Sequence, residues 1–164
     1  MDRTDIRILQ TLQQQGRVSN QRLAEIADIS PAACWRRMKA LEDSGVIEGY
    51  TAILNRARVN LNLCAFIHIT LARHVRESTA EFEAAVMQRS EVMECFVTTG
   101  EADFILRVVT TNIESFDAFV EGFLFTLPQI SQIKSNIALR EIKLTTALPI
   151  AQDSPPALRP EPAR

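Results

Sequence analysis

The sequence predicts an α+β fold in two parts, a helical N-terminal third and a longer region where strands and helices alternate. Apolar residues recur at helical spacing as far as Gly45, then at every second position from about Leu63, with two returns to helical spacing. The hydrophobic content, 46% of 164 residues, supplies a core for each of two small domains.

Taken in order, the first helix is expected over TDIRILQTLQQQG. Thr4 would cap it, Ile6, Leu9 and Leu12 would share one face, and Gly16 would close it. The second begins at Ser19, a good N-cap, carries Leu23, Ala24, Ile26 and Ala27 as an apolar stripe, and ends at Asp28. A tight turn there needs left-handed backbone angles, which Asp tolerates. Ser30-Pro31 restarts the chain as a third helix, with Ser30 as N-cap and Pro31 at the first helical position, where its missing N–H costs nothing.

On the third helix Cys34, Met38 and Leu41 form the buried stripe, and Ala32, Ala33, Arg36, Lys39 and Ala40 face away from it. Small residues at the N-terminal end admit a backbone deep into a major groove, and long cations beside them reach base edges or phosphates. Two amphipathic helices occur in any small bundle, but the sharp turn, the Ser-Pro restart and the small residues favour a DNA-reading helix-turn-helix. Arg36 and Lys39 are the expected groove contacts and Ser30 a phosphate contact. Arg37, nearer the buried stripe, has two readings, a phosphate at the groove edge or an acid within the domain such as Glu42. Trp35 flanks the core and is expected to pack, because a duplex offers no splayed base to stack on.

Gly45 ends this helix. Val46 to Leu54 reads as a strand carrying Tyr50 and Ile53 out of the domain, and Asn55 to Asn62, with Arg56 and Arg58, reads as a hinge. Ala65, Ile67, Ile69 and Leu71 then alternate with Phe66, His68 and Thr70 in a strand with one apolar face. Glu77 to Arg89 is expected to be helical, burying Phe82, Ala85 and Val86. Strands follow over Val92 to Thr99 and Asp103 to Thr110, joined at Gly100-Glu101-Ala102. Ile113 to Leu127 is a second amphipathic helix, with Phe116, Phe119, Val120, Phe123, Leu124 and Leu127 on one side, stopped by Pro128. Ile133, Ser135, Ile137 and Leu139 alternate in a last main strand, and Ile142 to Ile150 is a further edge.

That order, βαββαβ, is a ferredoxin-like arrangement with both helices on one face of an antiparallel sheet. Phe66, Met93, Cys95, Val97, Leu106 and Val108 cannot all lie under the helices if their strand neighbours do, so apolar area is left on the open face. A second subunit is its simplest cover. The divisions are residues 1–50 for the helix-turn-helix domain, 51–62 for the linker, 63–150 for the second domain and 151–164 for a Pro-rich tail expected to be disordered.

LAEIADISPAACWRRMKALEDSGVIEGYTAIL resembles the signature of the Lrp/AsnC family of bacterial and archaeal transcription regulators, in which Ser-Pro, the Arg-Arg pair, Leu, Gly-Val-Ile and Gly-Tyr-Thr-Ala recur at this spacing. CFVTTGEADFILRV, Cys95 to Val108, resembles the family's effector-domain hairpin, so the likeness covers about residues 1 to 150. It implies a three-helix winged helix-turn-helix domain and a ferredoxin-like domain. It also implies that the sheets of two subunits pack together, that such dimers can assemble into octamers, and that a homodimer presents paired reading helices to a pseudo-palindromic operator in double-stranded DNA. For this chain it implies an effector pocket around the hairpin, with Thr98, Thr99, Gly100 and Asp103 at matching positions and Leu127, Gln129 and Ser135 lining it from a neighbour. Backbone amides at the glycine would take the carboxylate of a small amino acid and Asp103 its ammonium. Without the likeness, Thr-Gly-Glu-x-Asp reads as an ordinary polar hairpin. Gln129 stands where the family has Gly, Phe104 where it has Tyr or His, and Ser135 where it has Thr.

Composition bounds the rest. A net charge of −2 excludes DNA gripping over the whole surface and leaves a local patch; residues 1–58 hold nine Lys/Arg against seven Asp/Glu, the remainder −4. Cys34, Cys64 and Cys95 are odd in number with no CxxC spacing, which suggests neither disulfides nor a metal site, and each is expected to pack as a small buried hydrophobe. Cys34, on the reading helix, is the candidate for any redox role. His68 and His74 have no partnering nucleophile, so no catalytic residues are assigned and no cofactor beyond the amino acid effector. With no signal peptide or membrane span, a cytoplasmic, nucleoid-associated protein is expected. A regulator with an effector is the leading function, and an architectural DNA-organising protein without one is the alternative.

Overall fold

The computed structural model describes residues 1–72 and 76–151, which form two compact units, Met1–Ile53 with the chain from Lys143 on, and Leu54–Ile142. His74 and all of the expected tail except Ala151 lie outside the described residues.

In the first unit, α1 spans Arg3–Gln14, α2 Asn20–Ala27 and α3 Pro31–Asp43. Asp2, not Thr4, caps α1. Its carboxylate accepts the amides of Thr4 and Asp5 at 2.9 Å, and the Asp5 carboxylate accepts the Asp2 amide at 2.9 Å. This reciprocal box satisfies more orphan amides than a threonine two residues later would. Ser19 and Ser30 cap α2 and α3 as their positions predict, accepting the amides of Arg22 at 3.2 Å and Ala33 at 3.3 Å. Asp28 turns the chain with φ 57° and ψ 49°, and Gly45, at φ 72°, carries it away from α3. Ile8, Leu9, Leu23, Ala24, Ala27, Cys34 and Leu41 form the core of this unit.

Two expected strands are absent. Val46 to Leu54 has no ladder partner among the described residues; its start is folded back as the amides of Val46 and Ile47 donate to the Leu41 carbonyl, at 3.0 and 3.1 Å. Ile142 to Ile150 adds no edge to the sheet. Its end returns to the first unit, where the Gln13 side-chain amide donates to the Leu148 carbonyl at 3.2 Å and accepts the Leu148 amide. Gln10 donates to the Ile150 carbonyl at 3.1 Å, and Ile150 packs against the helical core. Side-chain amides on α1 thus take hydrogen bonds that a neighbouring strand would have supplied.

The second unit opens with a short 3-10 turn at Arg56–Val59, where a hinge is expected, capped by Asn55. Then follow β1 (Leu63–Leu71), α4 (Arg76–Met87), β2 (Val92–Val97), β3 (Phe104–Thr110), α5 (Ile113–Gly122) and β4 (Ile130–Ile137). The sheet order is β2-β3-β1-β4, all antiparallel, as a ferredoxin-like fold requires. α5 stops at Gly122 and tightens into a 3-10 turn over Leu124–Thr126, short of the expected Leu127. Phe82 and Phe104 lie at the centre of the core, with ring centroids 4.6 Å apart.

Register decides the two faces. Ala65, Ile67 and Ile69 lie opposite Val108, Leu106 and Phe104, and all six are buried in one cluster with residues of α4 and α5. Of the six residues that could not all lie under the helices, Leu106 and Val108 therefore do. Cys95 and Val97 share their parity but sit on the outermost strand, where both are exposed; Met93 falls in a bulge. Phe66 (40% exposed) does lie on the open face, as expected, with Phe96 (56%) and Ile105 on the same side. Of the cysteines, Cys34 and Cys64 are buried as expected and Cys95 is not.

Candidate functional site

The first candidate site is the outer face of α3. The Ser30 cap and Pro31 fix where the helix begins, so Ala32, Arg36 and Lys39 rise on one side, all exposed. Ala33 is half-buried. Arg36 makes no ion pair among the described residues, so its guanidinium faces solvent uncommitted. Lys39 pairs with Asp43 one turn on, at 2.8 Å, and that contact raises its ammonium above the ordinary value.

Arg37 resolves toward an acid within the domain, but not Glu42. It bridges Asp5 at 2.7 Å and Asp2 at 2.8 Å, tying α3 to the cap of α1, and hydrogen bonds to Asp5 and then Asp2 raise its own value. Glu42 accepts the Tyr50 hydroxyl instead, at 3.0 Å; burial first and that contact second push the phenol up to about 12. The Asp5 amide and then Arg37 hold the Asp2 carboxyl below its ordinary 3.8. A depressed carboxylate stabilises the fold above its unfolded value, and that contribution is lost as pH falls through the folded one. Asp2→Asn keeps a capping side chain without charge. The wild-type protein should therefore lose helical-unit stability below pH 3.8 more steeply than Asp2→Asn, measured by acid unfolding followed by circular dichroism. Parallel acid limbs would refute this role.

Trp35 departs from expectation. It is 63% exposed and lies outside the helical core, because Cys34, Met38 and Leu41 fill the inward side without it.

The second candidate site is the turn between β2 and β3. The Thr98 amide donates to the Asp103 carbonyl at 2.9 Å, and the Thr98 hydroxyl to the Ala102 carbonyl. Asp103 latches the turn to β1: its amide donates to the Ile69 carbonyl at 2.9 Å, and its carboxylate accepts the Leu71 amide at 2.7 Å. Beside the turn lies a depression of about 320 Å³ lined by His68 and Thr70 of β1, Gln132 and Lys134 of β4, Ile105, and Thr98, Gly100, Glu101 and Ala102. The Lys134 ammonium stands 3.7 Å from the Glu101 carboxylate.

Of the residues expected around an effector, only Thr98 and Gly100 line this depression. Thr99 and Asp103 are in the turn but not in the lining. Ser135 pairs with Ile67, which puts it on the helix side of the sheet, and Leu127 packs into the core. Gln129 immediately precedes β4, its carbonyl accepting the Ala72 amide at 2.8 Å and its buried side-chain oxygen without a hydrogen-bond partner among the described residues. His68, Thr70, Gln132 and Lys134 were missed, although parity offers a signal. If Ile67, Ile69 and Ile133 face the helices, their even-numbered neighbours face away.

The two sites match two known domains. A winged helix-turn-helix DNA-binding profile fits residues 1–48, and the profile of the Lrp/AsnC ligand binding domain fits residues 64–148. The chain belongs to the Lrp/AsnC family. Among Lrp/AsnC relatives, the DNA-binding transcriptional activator DecR of Escherichia coli is 34% identical over 150 residues, covering 92% of this chain and 99% of its own. The Bkd operon transcriptional regulator of Pseudomonas aeruginosa is also 34% identical, covering 92% and 98%. A transcriptional regulator from Neisseria meningitidis, solved as an L-Met complex, superposes with a TM-score of 0.87 at 41% identity, covering 91% of this chain and 96% of that one. An AsnC family regulator from Agrobacterium tumefaciens gives 0.87 at 35%, covering 91% and 97%.

This Lrp/AsnC protein is thus a DNA-binding transcriptional regulator with a ligand-binding domain, and these relatives are regulators rather than enzymes. Among the described residues no cluster of His, Cys, Asp and Glu could hold a metal ion, and no helix is long and apolar enough to cross a membrane.

Proposed function

We propose that the regulator reads a pseudo-palindromic operator as a homodimer, with Arg36 and Lys39 in the groove, Ser30 at a phosphate and Ala32 and Ala33 against the backbone, and that a free amino acid modulates this binding. In the cytoplasm such a protein acts on the nucleoid.

The observation that carries the effector reading is the depression beside the turn at residues 98–103. Its volume, about 320 Å³, lies at the small end of the ~300–1,000 Å³ typical of ligand pockets. Its charges are of both signs, 3.7 Å apart, as a zwitterion needs: Lys134 for a carboxylate, Glu101 for an ammonium. The L-Met complex of the 41% identical relative supports an amino acid as the class of ligand. The Asp103 carboxylate, expected to take the ammonium, accepts the Leu71 amide and so holds the turn to β1. Phe66, Phe96 and Ile105 on the open sheet face support a second copy as its cover.

A thermal-shift scan of the full-length protein against the twenty common amino acids tests this reading. A ligand that binds only the folded state adds about 2.7 kcal/mol at a hundredfold excess over its Kd and raises Tm accordingly. Lys134→Met and Glu101→Gln, both at exposed positions, should erase the shift without lowering the ligand-free Tm. A scan with no shift would transfer the weight to an architectural role, in which the same two domains organise DNA without an effector.

A further inference from the structure

Trp35 is the only tryptophan in the chain, and the structure leaves it in an unexpected place. Single exposed hydrophobes are ordinary on protein surfaces. This one is 63% exposed in the N-terminal half of the reading helix, the part of such a helix that meets base edges. It follows Ala32 by three residues and precedes Lys39 by four, so the three form one row, and Arg36 lies alongside. Among the described residues the indole makes no hydrogen bond, ring contact or cation contact, and the helical core is closed without it. A large planar apolar group on the same side of the helix as two cations, with Ala32 and Ala33 in the first turn, fits a surface that is anionic at its rims and apolar at points on its floor. The major groove is such a surface, with phosphates along its edges and thymine methyl groups inside.

We propose that Trp35 is a specificity-determining residue of the regulator, its indole lying against a thymine methyl in the major groove while Arg36 and Lys39 contact the bases and phosphates beside it. Stacking on a splayed base is not involved. The contact is the edge-on apolar readout that an intact duplex permits, and it selects thymine at one position of each half-site.

The test uses the full-length protein and a duplex enriched from a random-sequence pool by binding to it. Each thymine in the enriched duplex is replaced in turn by deoxyuridine, which removes only the methyl group. At one position per half-site the replacement should weaken wild-type binding severalfold, leave Trp35→Ala unaffected and cost Trp35→Phe less than wild type, because the smaller ring keeps only part of the apolar contact. Both variants should keep the wild-type Tm because the side chain lies outside the core. Trp35 fluorescence supplies the second readout. Acrylamide quenching should be efficient in the free protein and suppressed by the enriched duplex, much less so by a shuffled duplex at the same salt concentration. If every deoxyuridine replacement costs the variants as much as it costs wild type, the assignment falls. Protection from acrylamide already complete without DNA would assign the indole to a contact between copies of the chain and overturn it as well. A pool yielding no preferred sequence would remove it together with sequence-specific reading.

Discussion

Phe82→Ala is expected to destabilise the ligand-binding unit by about 3–5 kcal/mol, the range for truncating a fully buried phenylalanine. The ring is wholly inaccessible, and with Phe104 at 4.6 Å and a tilt of 49° it joins α4 to the middle of the sheet. Removing it deletes apolar contact on both sides and leaves a cavity that neighbours fixed in the sheet, Ile67, Ile69 and Leu106, have little freedom to fill. Against a domain stability of roughly 5–15 kcal/mol the loss is a large fraction of the whole. Calorimetry is the appropriate measurement, because the helical unit has its own core. The transition of Leu54–Ile142 should move far down in temperature while that of the helical unit moves little. A cost below about 1 kcal/mol would mean that the cavity collapses, against the rigidity argued for this core.

Arg36→Ala is expected to weaken operator binding by about 1–3 kcal/mol per reading helix, the usual worth of a base-contacting arginine. The expectation rests on its exposure and on the lack of any internal ion pair among the described residues, so no intramolecular contact must be broken for it to enter the groove. Arg36→Lys should restore charge without the planar fork and recover affinity only in part. Arg37→Ala is the contrasting case. Its guanidinium is held by Asp2 and Asp5, so the loss should appear chiefly in the thermal stability of the helical unit. Fluorescence anisotropy of a labelled operator across a salt series shows which kind of contact Arg36 makes, since a lost phosphate contact flattens the salt dependence and a lost base contact relaxes sequence preference. Equal effects of Arg36→Ala on preferred and shuffled duplexes would rule out base reading.

Local chemistry was legible in the sequence, and contacts from distant parts of the chain were not. Ser19, Asp28, Ser30 and Pro31 do what their residue types do anywhere, so the turn between α2 and α3 could be placed to the residue. The cap of α1 could not, because Asp2 and Thr4 are both good candidates by type; Arg37, more than thirty positions away, reinforces the choice of Asp2. The side of α3 that carries Trp35 follows from helical geometry, but whether a neighbour covers that side does not. The apolar residues of Ile142 to Ile150 suggested a further sheet edge, yet the partner of its end is a pair of glutamines on α1. At the second site, the resemblance located the turn, whereas Gln132 and Lys134 became candidates only when the register of β4 against β1 fixed which side they face.

The return of the C-terminal segment to α1 bears on how the protein is made. Ile150 completes the edge of the helical core, and Gln10 and Gln13 receive their backbone partners only from residues 148–150. A ribosome releases the three helices long before it releases those residues, so the DNA-reading unit acquires its last contacts only after the entire ligand-binding unit has emerged. A chain cut short anywhere in that second unit carries a reading helix on an unfinished support. Premature termination thus removes the response to ligand and the full stability of the DNA-reading unit in one event.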